Sequence, residues 1–378
     1  MTSHIVAQPV EPTALFLRLY VSFELSDKLW KLACSDGRRA PSRYSIPAGN
    51  QASVLDCLRR AKAHFGLAAD AVVRSCYEAG RDGWWLHRWL IEQGVENIVV
   101  DSASIEVNRR SRRAKTDRLD ADKLLSMLHR YHGGETRVWS VVRAPSAQEE
   151  DARRTHRELA RLTQERTAHT NRIGSLLVLQ NLRPQKIGGR NWKRWWVEHA
   201  GDLPSALRVE IERETARLDL ARDQIKAIEA FRLREVTEGR QPLIAQLAKL
   251  RAIGVRSAWL LDKELFGWRR FRNRRELAGS IGLCPTPYAS GDINIEQGIS
   301  KAGNKRARTL LVDLAWGWLR LQPDSALSQW FTRRFAAGGR RMRRVGIVAV
   351  ARKLAVALWR YVTHGEIPAG AVLKPTVA

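Results

Sequence analysis

The 378-residue sequence predicts an α/β domain, then a helical arm, then a mainly α C-terminal domain. Between residues 14 and 143, short β-rich runs and amphipathic runs alternate in the order βββαβαβα, which is typical of an α/β layer with a mixed sheet. Residues 144–238 are dominated by Glu, Arg, Thr and Gln, with apolar residues at helical spacing. Residues 239–370 are again rich in apolar residues, and residues 1–13 are predicted to be a disordered leader.

The first domain is predicted to open with a β-meander. A turn signal, Ser35-Asp36-Gly37, separates its second and third strands. In the helix that follows, Val54, Leu58 and Ala61 share one face. The predicted strands cover residues 14–24, 28–35, 43–46, 71–77 and 97–100, and the predicted helices cover residues 51–66, 84–93 and 117–131.

The arm is predicted as two helical stretches, residues 146–182 and 207–237, with a breaker-rich basic segment, 184–194, between them. The apolar residues of the first stretch, Leu159 and Leu162 among them, suit a helical hairpin or a coiled coil. Such a hairpin can be a plain spacer or an oligomerising arm. We favour the oligomerising arm, because the α/β domain has no need of a spacer of this kind.

The C-terminal domain contains two segments of functional interest. Residues 250–256 join two helical patterns through Gly254 and resemble a helix-hairpin-helix, whose turn amides contact a phosphate without reading sequence. Arg256 stands where that motif usually has its second glycine. Ser290 lies in a predicted Gly-flanked loop, where a serine is by default a turn former, and a basic loop, 298–306, follows. Helices are predicted over 307–321 and 344–364, with a very basic hinge, 333–344, between them.

The charge of the chain favours polyanionic partners. Its 65 Lys and Arg residues outnumber 39 Asp and Glu residues, which gives a net charge of +26 and predicts fast, salt-dependent association with nucleic acid. The run Trp192-Lys193-Arg194-Trp195-Trp196 adds aromatic and guanidinium planes that can stack on bases. Indoles can equally fill helix interfaces, and the sequence leaves both interpretations open.

Several protein classes are disfavoured. The four cysteines, Cys34, Cys57, Cys76 and Cys284, are far apart and form no CxxC pair, so a zinc ribbon is not expected. We expect all four to be reduced thiols. Residues 1–12 show no pattern of a secretory signal. No apolar run approaches the ~20 residues that a membrane-spanning helix needs, so we expect a cytoplasmic protein.

A cluster of acidic residues lies within residues 115–122, where three carboxylates occur in six positions just after the basic run 109–113. Asp117 and Asp120 are three residues apart, so on a helix they share one face and can bind one cation. Asp122 lies off that face and is interpreted as solvated. This stretch is predicted to be half of a divalent-metal site.

Glu24 and Glu78 add two more carboxylates, each at the end of a predicted strand. Sites in open α/β sheets typically form at such strand ends. Magnesium prefers oxygen ligands, and two divalent ions about 3.5–4 Å apart can activate a nucleophile and stabilise a leaving oxygen on phosphate. With Asp117 and Asp120, these residues form a candidate magnesium site, although acids at strand ends are also commonly just solvated.

Several segments resemble, in order, the motifs of the DEDD insertion-sequence transposases, the group that includes the pilin-gene invertase and the bridge-RNA-guided recombinases. YVSFELSDK (residues 20–28) resembles the first-strand motif of that family, YEAG (77–80) its second acidic motif and KTDRLDA (115–121) its third. GLCP through YASG (282–291), followed by ISKAGN (299–304), resembles its serine-bearing motif. The resemblance extends over most of the chain.

The resemblance implies a RuvC-like domain with the RNase H fold, a coiled-coil arm and a C-terminal transposase domain. It implies that Glu24, Glu78, Asp117 and Asp120 bind two Mg²⁺ ions, for which Mn²⁺ can substitute. It also implies that Ser290 attacks a DNA phosphodiester and holds the strand end as phosphoserine, which conserves bond energy for rejoining.

The partners that the resemblance implies are double-stranded DNA, a structured non-coding guide RNA and further copies of the chain. The DNA comprises the element ends and the target. The copies form a dimer to tetramer in which the acidic site of one subunit meets the serine of another. The implied location is the bacterial cytoplasm, in association with the nucleoid.

One position departs from the family pattern. The first acidic residue is usually Asp, whereas this chain has Glu24, whose extra methylene shifts the carboxylate by about one C–C bond in a geometry that magnesium constrains closely. Either the site adjusts, Asp27 substitutes, or the site is impaired. We favour adjustment.

Basic side chains near these motifs are expected to contact nucleic acid. Lys115 can contact phosphate or pair with the acids beside it, and the sequence does not decide between the two. The expected nucleic-acid-binding residues are Arg109, Arg110, Arg112, Arg113, Lys115, Lys193, Arg194, Arg256, Lys301, Lys305 and Arg306.

Two other functions compete with recombination. A RuvC-like structure-specific endonuclease would use the acids with water as nucleophile and would not need Ser290. A catalytically dead nucleic-acid-binding protein is the second alternative, and Glu24 is its sequence support.

Overall fold

A computed structural model describes residues 18–105, 117–290 and 293–375, and the chain divides into two compact units, residues 1–147 and 148–378. The strands are β1 Leu19–Glu24, β2 Leu29–Ser35, β3 Ser42–Pro47, β4 Val73–Glu78, β5 Glu96–Val100, β6 Val141–Val142, β7 Pro285–Ser290 and β8 Ile293–Ile299. The helices are α1 Gln51–His64, α2 Trp85–Glu92, α3 Asp117–His132, α4 Ala147–Asp151, α5 Arg154–Val178, α6 Trp192–His199, α7 Ser205–Thr237, α8 Pro242–Ala248, α9 Val255–Leu261, α10 Arg274–Ser280, α11 Lys305–Leu321, α12 Ala326–Phe335 and α13 Arg340–His364.

The first unit contains a six-stranded mixed sheet in the order β3-β2-β1-β4-β5-β6. Strands β1, β4 and β5 run parallel, while β2, β3 and β6 pair antiparallel with their neighbours. The predicted order of elements and the mixed sheet are confirmed, and the architecture is consistent with an RNase H-like α/β domain. The sequence missed only β6, because two residues are too few to show a periodic pattern.

Helices cover both faces of this sheet, and the alternation of side chains along a strand decides which residue meets which helix. Val21 and Phe23 of β1 belong to the core that α1 and α2 complete. Tyr20 points to the opposite face, where it packs against Ala121 and Leu125 of α3. The sheet is therefore the middle of three layers.

The second unit begins with a helical hairpin formed by α5 and α7. Ile173 near the end of α5 packs with Ile211 near the start of α7, and Leu162 near the start of α5 packs with Ile225 towards the end of α7. The two helices are therefore antiparallel, as the hairpin interpretation predicted. The connection contains α6, a helix that its breaker-rich surroundings had concealed.

The rest of the second unit is mainly helical. Its core contains apolar side chains from α8 to α13, including the fully buried Trp318 of α11 and Leu354 of α13. Strands β7 and β8 form a separate two-stranded hairpin. Among the described helices, none combines the length and the apolar character that crossing a bilayer requires.

Candidate functional site

Two of the predicted metal ligands, Glu24 and Glu78, lie side by side at the carboxyl ends of β1 and β4. The strands are parallel neighbours, and Phe23 lies opposite Tyr77. Glu24 and Glu78 are the next residue on each strand, so their backbones end at the same edge of the sheet. Glu24 is half-buried and Glu78 is exposed.

Strand alternation directs both glutamates to the face that α3 covers. Ser22, two residues before Glu24, donates a hydrogen bond of 2.7 Å from its hydroxyl to the carbonyl of Ala121 in α3. Cys76, two residues before Glu78, contributes to the core that α3 builds on this face. Side chains two residues apart on a strand share a face, so Glu24 and Glu78 belong to the α3 side.

The other two predicted ligands lie on α3 itself. Asp120 is half-buried on the first turn, next to the Ala121 that Ser22 contacts. Asp117 begins the helix, but its side chain lies outside the described part of the structure. Among the residues described, no three His, Cys, Asp or Glu side chains are close enough together to hold a metal ion. The fold thus gathers the acidic elements on one face, and the carboxylate oxygens are the donors that magnesium prefers.

Two further acids belong to ion pairs. The expectation that Asp122 is solvated is wrong, because its carboxylate lies 2.8 Å from Nη2 of Arg43 on β3 and is only partly exposed. Asp27, considered as a substitute for Glu24, pairs with Arg81 at 3.0 Å and is largely exposed. Neither pair could be read from the sequence, since the partners are 79 and 54 positions away respectively.

The expected nucleic-acid contacts fall into two groups. Arg109, Arg110, Arg112, Arg113 and Lys115 lie outside the described residues. Of the rest, Arg256 donates a hydrogen bond of 2.7 Å from Nη2 to the hydroxyl of Thr163 on α5, in the helical hairpin. Arg256 is exposed, and so are the other described members of the set: Lys193 and Arg194 on α6, Lys301 before α11, and Lys305 and Arg306 on the first turn of α11.

The tryptophan run on α6 serves the arm at least in part. Trp192 is buried in the apolar cluster between α5 and α7. Its ring stacks on Trp195 with centroids 5.3 Å apart, and Trp195 stacks on His199 at 4.4 Å. Trp195 and Trp196 remain half-buried, so part of each ring is accessible.

Ser290 ends β7 rather than lying in an open loop, which corrects the sequence expectation. It lies opposite Ile293 of β8 in register, and residues 291–292 lie outside the described residues. The side chain of Ser290 is likewise outside the description. Pro285 and Pro287 hid this strand, since proline usually argues against one; a register shift between them accommodates both.

The base of this serine hairpin is interlocked with the start of α11 through two glycines. Gly282 has φ +66°, and a Cβ there would lie 2.1 Å from the carbonyl oxygen of Ala302. Gly303 has φ +72°, and a Cβ there would lie 2.2 Å from the carbonyl oxygen of Ser280. The backbone N–H of Asn304 donates to that same Ser280 carbonyl at 2.8 Å. Only glycine fits such close approaches of two backbones at positive φ.

A buried carboxylate, Glu264, joins this hairpin base to the arm. It lies in a π-helical turn, Asp262–Phe266, that continues α9, and it is 1% exposed. Its Oε1 lies 2.7 Å from Nε2 of His156 and accepts from Nε of Arg157 at 2.9 Å, both on α5. Its Oε2 accepts from the amide of Asn304 at 2.9 Å. Asn304 also caps α11 by accepting from the N–H of Ala307.

The charge of this cluster is well defined. Burial alone would raise the pKa of Glu264, but hydrogen bonds from His156, Arg157 and Asn304 outweigh it and hold the pKa well below its ordinary value. Burial lowers the pKa of His156, so its ring is neutral near pH 7 and donates from Nε2. Sequence reasoning missed Glu264 altogether; the one available signal was a short charged stretch, Asp262-Lys263-Glu264, between apolar residues in LLDKELFGW (260–268).

Comparisons with known proteins identify the family of the chain. The family model described as Transposase IS116/IS110/IS902 family matches residues 245–330, which include the π-helical turn, the serine hairpin and all of α11. "Putative transposase y4rJ" of Sinorhizobium fredii (strain NBRC 101917 / NGR234) is 40% identical over 391 residues, with 97% of this chain and 98% of that one covered.

Two more distant relatives carry insertion-sequence names. The transposase for insertion sequence element IS1111A of Coxiella burnetii (strain RSA 493 / Nine Mile phase I) is 25% identical over 305 residues, which cover 78% of each chain. The transposase for insertion sequence element IS1328 of Yersinia enterocolitica is 32% identical over 124 residues, 32% of this chain and 36% of that one. The near-complete match to the Sinorhizobium protein, together with the family model, shows that this chain belongs to the IS116/IS110/IS902 family of insertion-sequence transposases.

Proposed function

We propose that this transposase cuts and rejoins DNA with Ser290 as nucleophile, assisted by magnesium bound to Glu24, Glu78, Asp117 and Asp120. One observation carries the metal half of the proposal. Two glutamates end neighbouring parallel strands in the same register, and strand alternation sends both to the face where α3 begins. That arrangement suits several carboxylates acting together on one or two hard cations.

The chemical step is a transesterification. The hydroxyl oxygen of Ser290 attacks the phosphorus of a DNA phosphodiester, and the bond from phosphorus to one sugar oxygen breaks. The serine loses a proton and the departing sugar oxygen gains one. When bound, the magnesium ions would neutralise charge on the phosphate and favour ionisation of the attacking hydroxyl. Attack by a different sugar hydroxyl on the phosphoserine reverses these bond changes and joins the new pair of strands.

The serine hairpin supplies positioning. A nucleophile must be held close to in-line attack, because misplacement by about 1 Å can cost about 10²-fold in rate. The interlocked backbones at Gly282 and Gly303 and the amide of Asn304 on Glu264 restrict how the hairpin base can move. We expect the hairpin to act as a rigid mount that presents Ser290 at its tip.

Assembly and guidance complete the proposal. The antiparallel α5–α7 hairpin is proposed to join copies of the chain, so that acids and serine from different subunits form one site. The net charge of +26 supports binding of duplex DNA and of a structured guide RNA that would supply target specificity.

Trapping the covalent intermediate tests the serine. The full chain is incubated with Mg²⁺, the RNA of the element and end-labelled, nicked element DNA, and the products are separated under denaturing conditions. We expect an adduct with the wild type and with the control Ser205→Ala, an exposed serine on α7, and none with Ser290→Ala. Full strand exchange by Ser290→Ala would refute the mechanism, and cleavage without any adduct would favour the water-dependent endonuclease.

Metal binding tests the acids without relying on activity. We expect Mg²⁺ to raise the melting temperature of the wild type and of Glu24→Asp, because both keep a carboxylate in the site. Glu24→Gln and Asp117→Ala should respond less. Identical responses from all four proteins would support the catalytically dead alternative.

A further inference from the structure

The second unit contains a basic groove that no predicted site includes. It has a volume of about 840 Å³ and lies among α10, α13 and the segment after α13. Arg274 and Arg275 enter it from α10, and Arg352, Lys353 and Arg360 enter it from α13. Glu366 is the one acid of its lining. Five cations and one carboxylate give the groove walls a charge of +4.

These five cations lie together on one concave surface without matching acids, apart from Glu366. None of the five forms an ion pair with a carboxylate in the part of the chain that the structure describes. Like charges gathered on one concave surface repel each other, and the concavity concentrates their field on whatever enters it. Such a surface is stabilised by a polyanion.

Apolar side chains also line the groove. They include Leu327, Trp330, Val356 and Ile367. The ammonium of Lys353 lies 4.6 Å from the centroid of the Trp330 ring, which holds this charge against the wall. A lining that is both apolar and cationic suits a sugar-phosphate chain, whose sugars are weakly polar and whose phosphates are charged, better than a free phosphate ion.

The spacing along α13 also fits a polymer. Arg352 and Arg360 are eight residues apart, so their backbones are separated by about 12 Å along the helix at 1.5 Å per residue. Successive phosphates of one DNA strand advance by about 3.4 Å along the duplex axis. On a duplex whose axis runs along α13, the two arginines would span roughly three to four phosphates.

We infer that this groove binds the backbone of one strand of duplex DNA, independently of sequence and apart from the acids and Ser290. The inference deepens the proposed function and rests on it for the choice of DNA over RNA, because the same unit carries the serine that would attack a DNA phosphodiester. Phosphate contacts of this kind position a duplex without specifying its bases.

The test measures binding alone, in a chain that cannot react. Full-length protein carrying Ser290→Ala is titrated, without divalent metal, onto a fluorescent random-sequence duplex of about 30 base pairs at salt concentrations between about 50 and 300 mM. Arg352→Gln with Arg360→Gln is compared with Arg213→Gln with Arg320→Gln, two exposed arginines outside the groove with the same change in charge.

Each lost phosphate contact should make the negative slope of log K against log salt shallower by about 0.9. The groove pair is therefore expected to reduce the magnitude of the slope by about 1.8 and to raise Kd about 60-fold at about 0.1 M salt, while the control pair changes Kd less than about threefold. Melting temperatures equal to that of the parent exclude misfolding, and Arg352→Lys with Arg360→Lys should restore most of the affinity.

An unchanged slope, or equal losses for the two pairs, would overturn the inference. A loss seen only with structured RNA would overturn the assignment to DNA. Because the binding assay needs neither the serine nor the metal, its outcome is separable from the trapping experiment that tests the proposed function.

Discussion

Replacing Glu264 by glutamine perturbs the contact between the arm and the serine hairpin. The carboxylate is 1% exposed and accepts hydrogen bonds from His156, Arg157 and Asn304. Glutamine has nearly the same shape but keeps one acceptor oxygen and places an NH2 group where donors already converge. At least one buried donor is therefore left without an acceptor, and Arg157 loses its counter-charge.

The magnitude follows from burial. Breaking a buried ion pair by removing one partner typically costs about 3–5 kcal/mol. The side chain of Arg157 is 42% exposed, so water recovers part of its charge and the lower part of that range applies. We expect a loss of about 2–4 kcal/mol in the free energy of unfolding. For a unit of this size about 1 kcal/mol shifts the melting temperature by about 2–4 °C, so the transition should fall by roughly 4–16 °C.

The matched control is Glu229→Gln. Glu229 lies 3.9 Å from Arg256, and both side chains are about half exposed, so the expected cost is below about 0.5 kcal/mol. Thermal unfolding followed by circular dichroism measures both variants. A melting temperature for Glu264→Gln within about 1 °C of wild type would refute the reasoning, because it would mean that the three donors lose nothing.

The pH dependence has a definite sign. The pKa of Glu264 is depressed in the fold, so its stabilisation is complete above the ordinary glutamate pKa of about 4.3 and declines as pH falls below that value. The stability difference between wild type and Glu264→Gln should therefore narrow below about pH 4.3. A difference that widens in acid would contradict the assignment of an ionised Glu264.

Two more substitutions test other features of the second unit. Gly303→Ala should lower the free energy of unfolding by more than roughly 2 kcal/mol, because its Cβ would meet the Ser280 carbonyl. The control Gly239→Ala, at φ +74° with open space around it, should lower it by only about 1 kcal/mol. Equal melting temperatures for the two variants would contradict this prediction. Arg232 is 2% exposed, its guanidinium has no hydrogen-bond partner among the described residues, and burial lowers its pKa to about 10. Arg232→Met should therefore leave stability unchanged or raise it by up to a few kcal/mol, despite losing a stack on Trp259 at 5.1 Å; a fall of several degrees would reveal a partner for the charge.

The sequence predicts the first unit well because its signals are local. Short β-rich runs identify β1 and β4, and the helix predicted from about residue 117 does begin at Asp117. Strand parity, which sends Glu24 and Glu78 to one face, also follows from sequence once the strands are known. Only the sheet order, which makes β1 and β4 neighbours, needed the structure.

The second unit was harder because its decisive contacts join distant residues. Glu264 meets His156 and Arg157 across 108 and 107 positions and Asn304 across 40. No periodic pattern links such partners, and the stretch Asp262-Lys263-Glu264 matches no motif. The serine hairpin was hidden for a different reason. Pro285 and Pro287 lie in β7, and proline usually argues against a strand.

Stability and chemistry can be separated at the serine hairpin, because Ser290 is proposed to react with DNA whereas the base of the hairpin stabilises the fold. Ser290→Ala removes an oxygen at the tip and should abolish the adduct while the melting temperature stays the same. Glu264→Gln and Gly303→Ala alter the base, so both measurements should fall together, and cooling the assay below the transition should recover part of the adduct. A variant of the base that keeps its melting temperature but loses the adduct would show that the base takes part in the reaction beyond holding Ser290 in place.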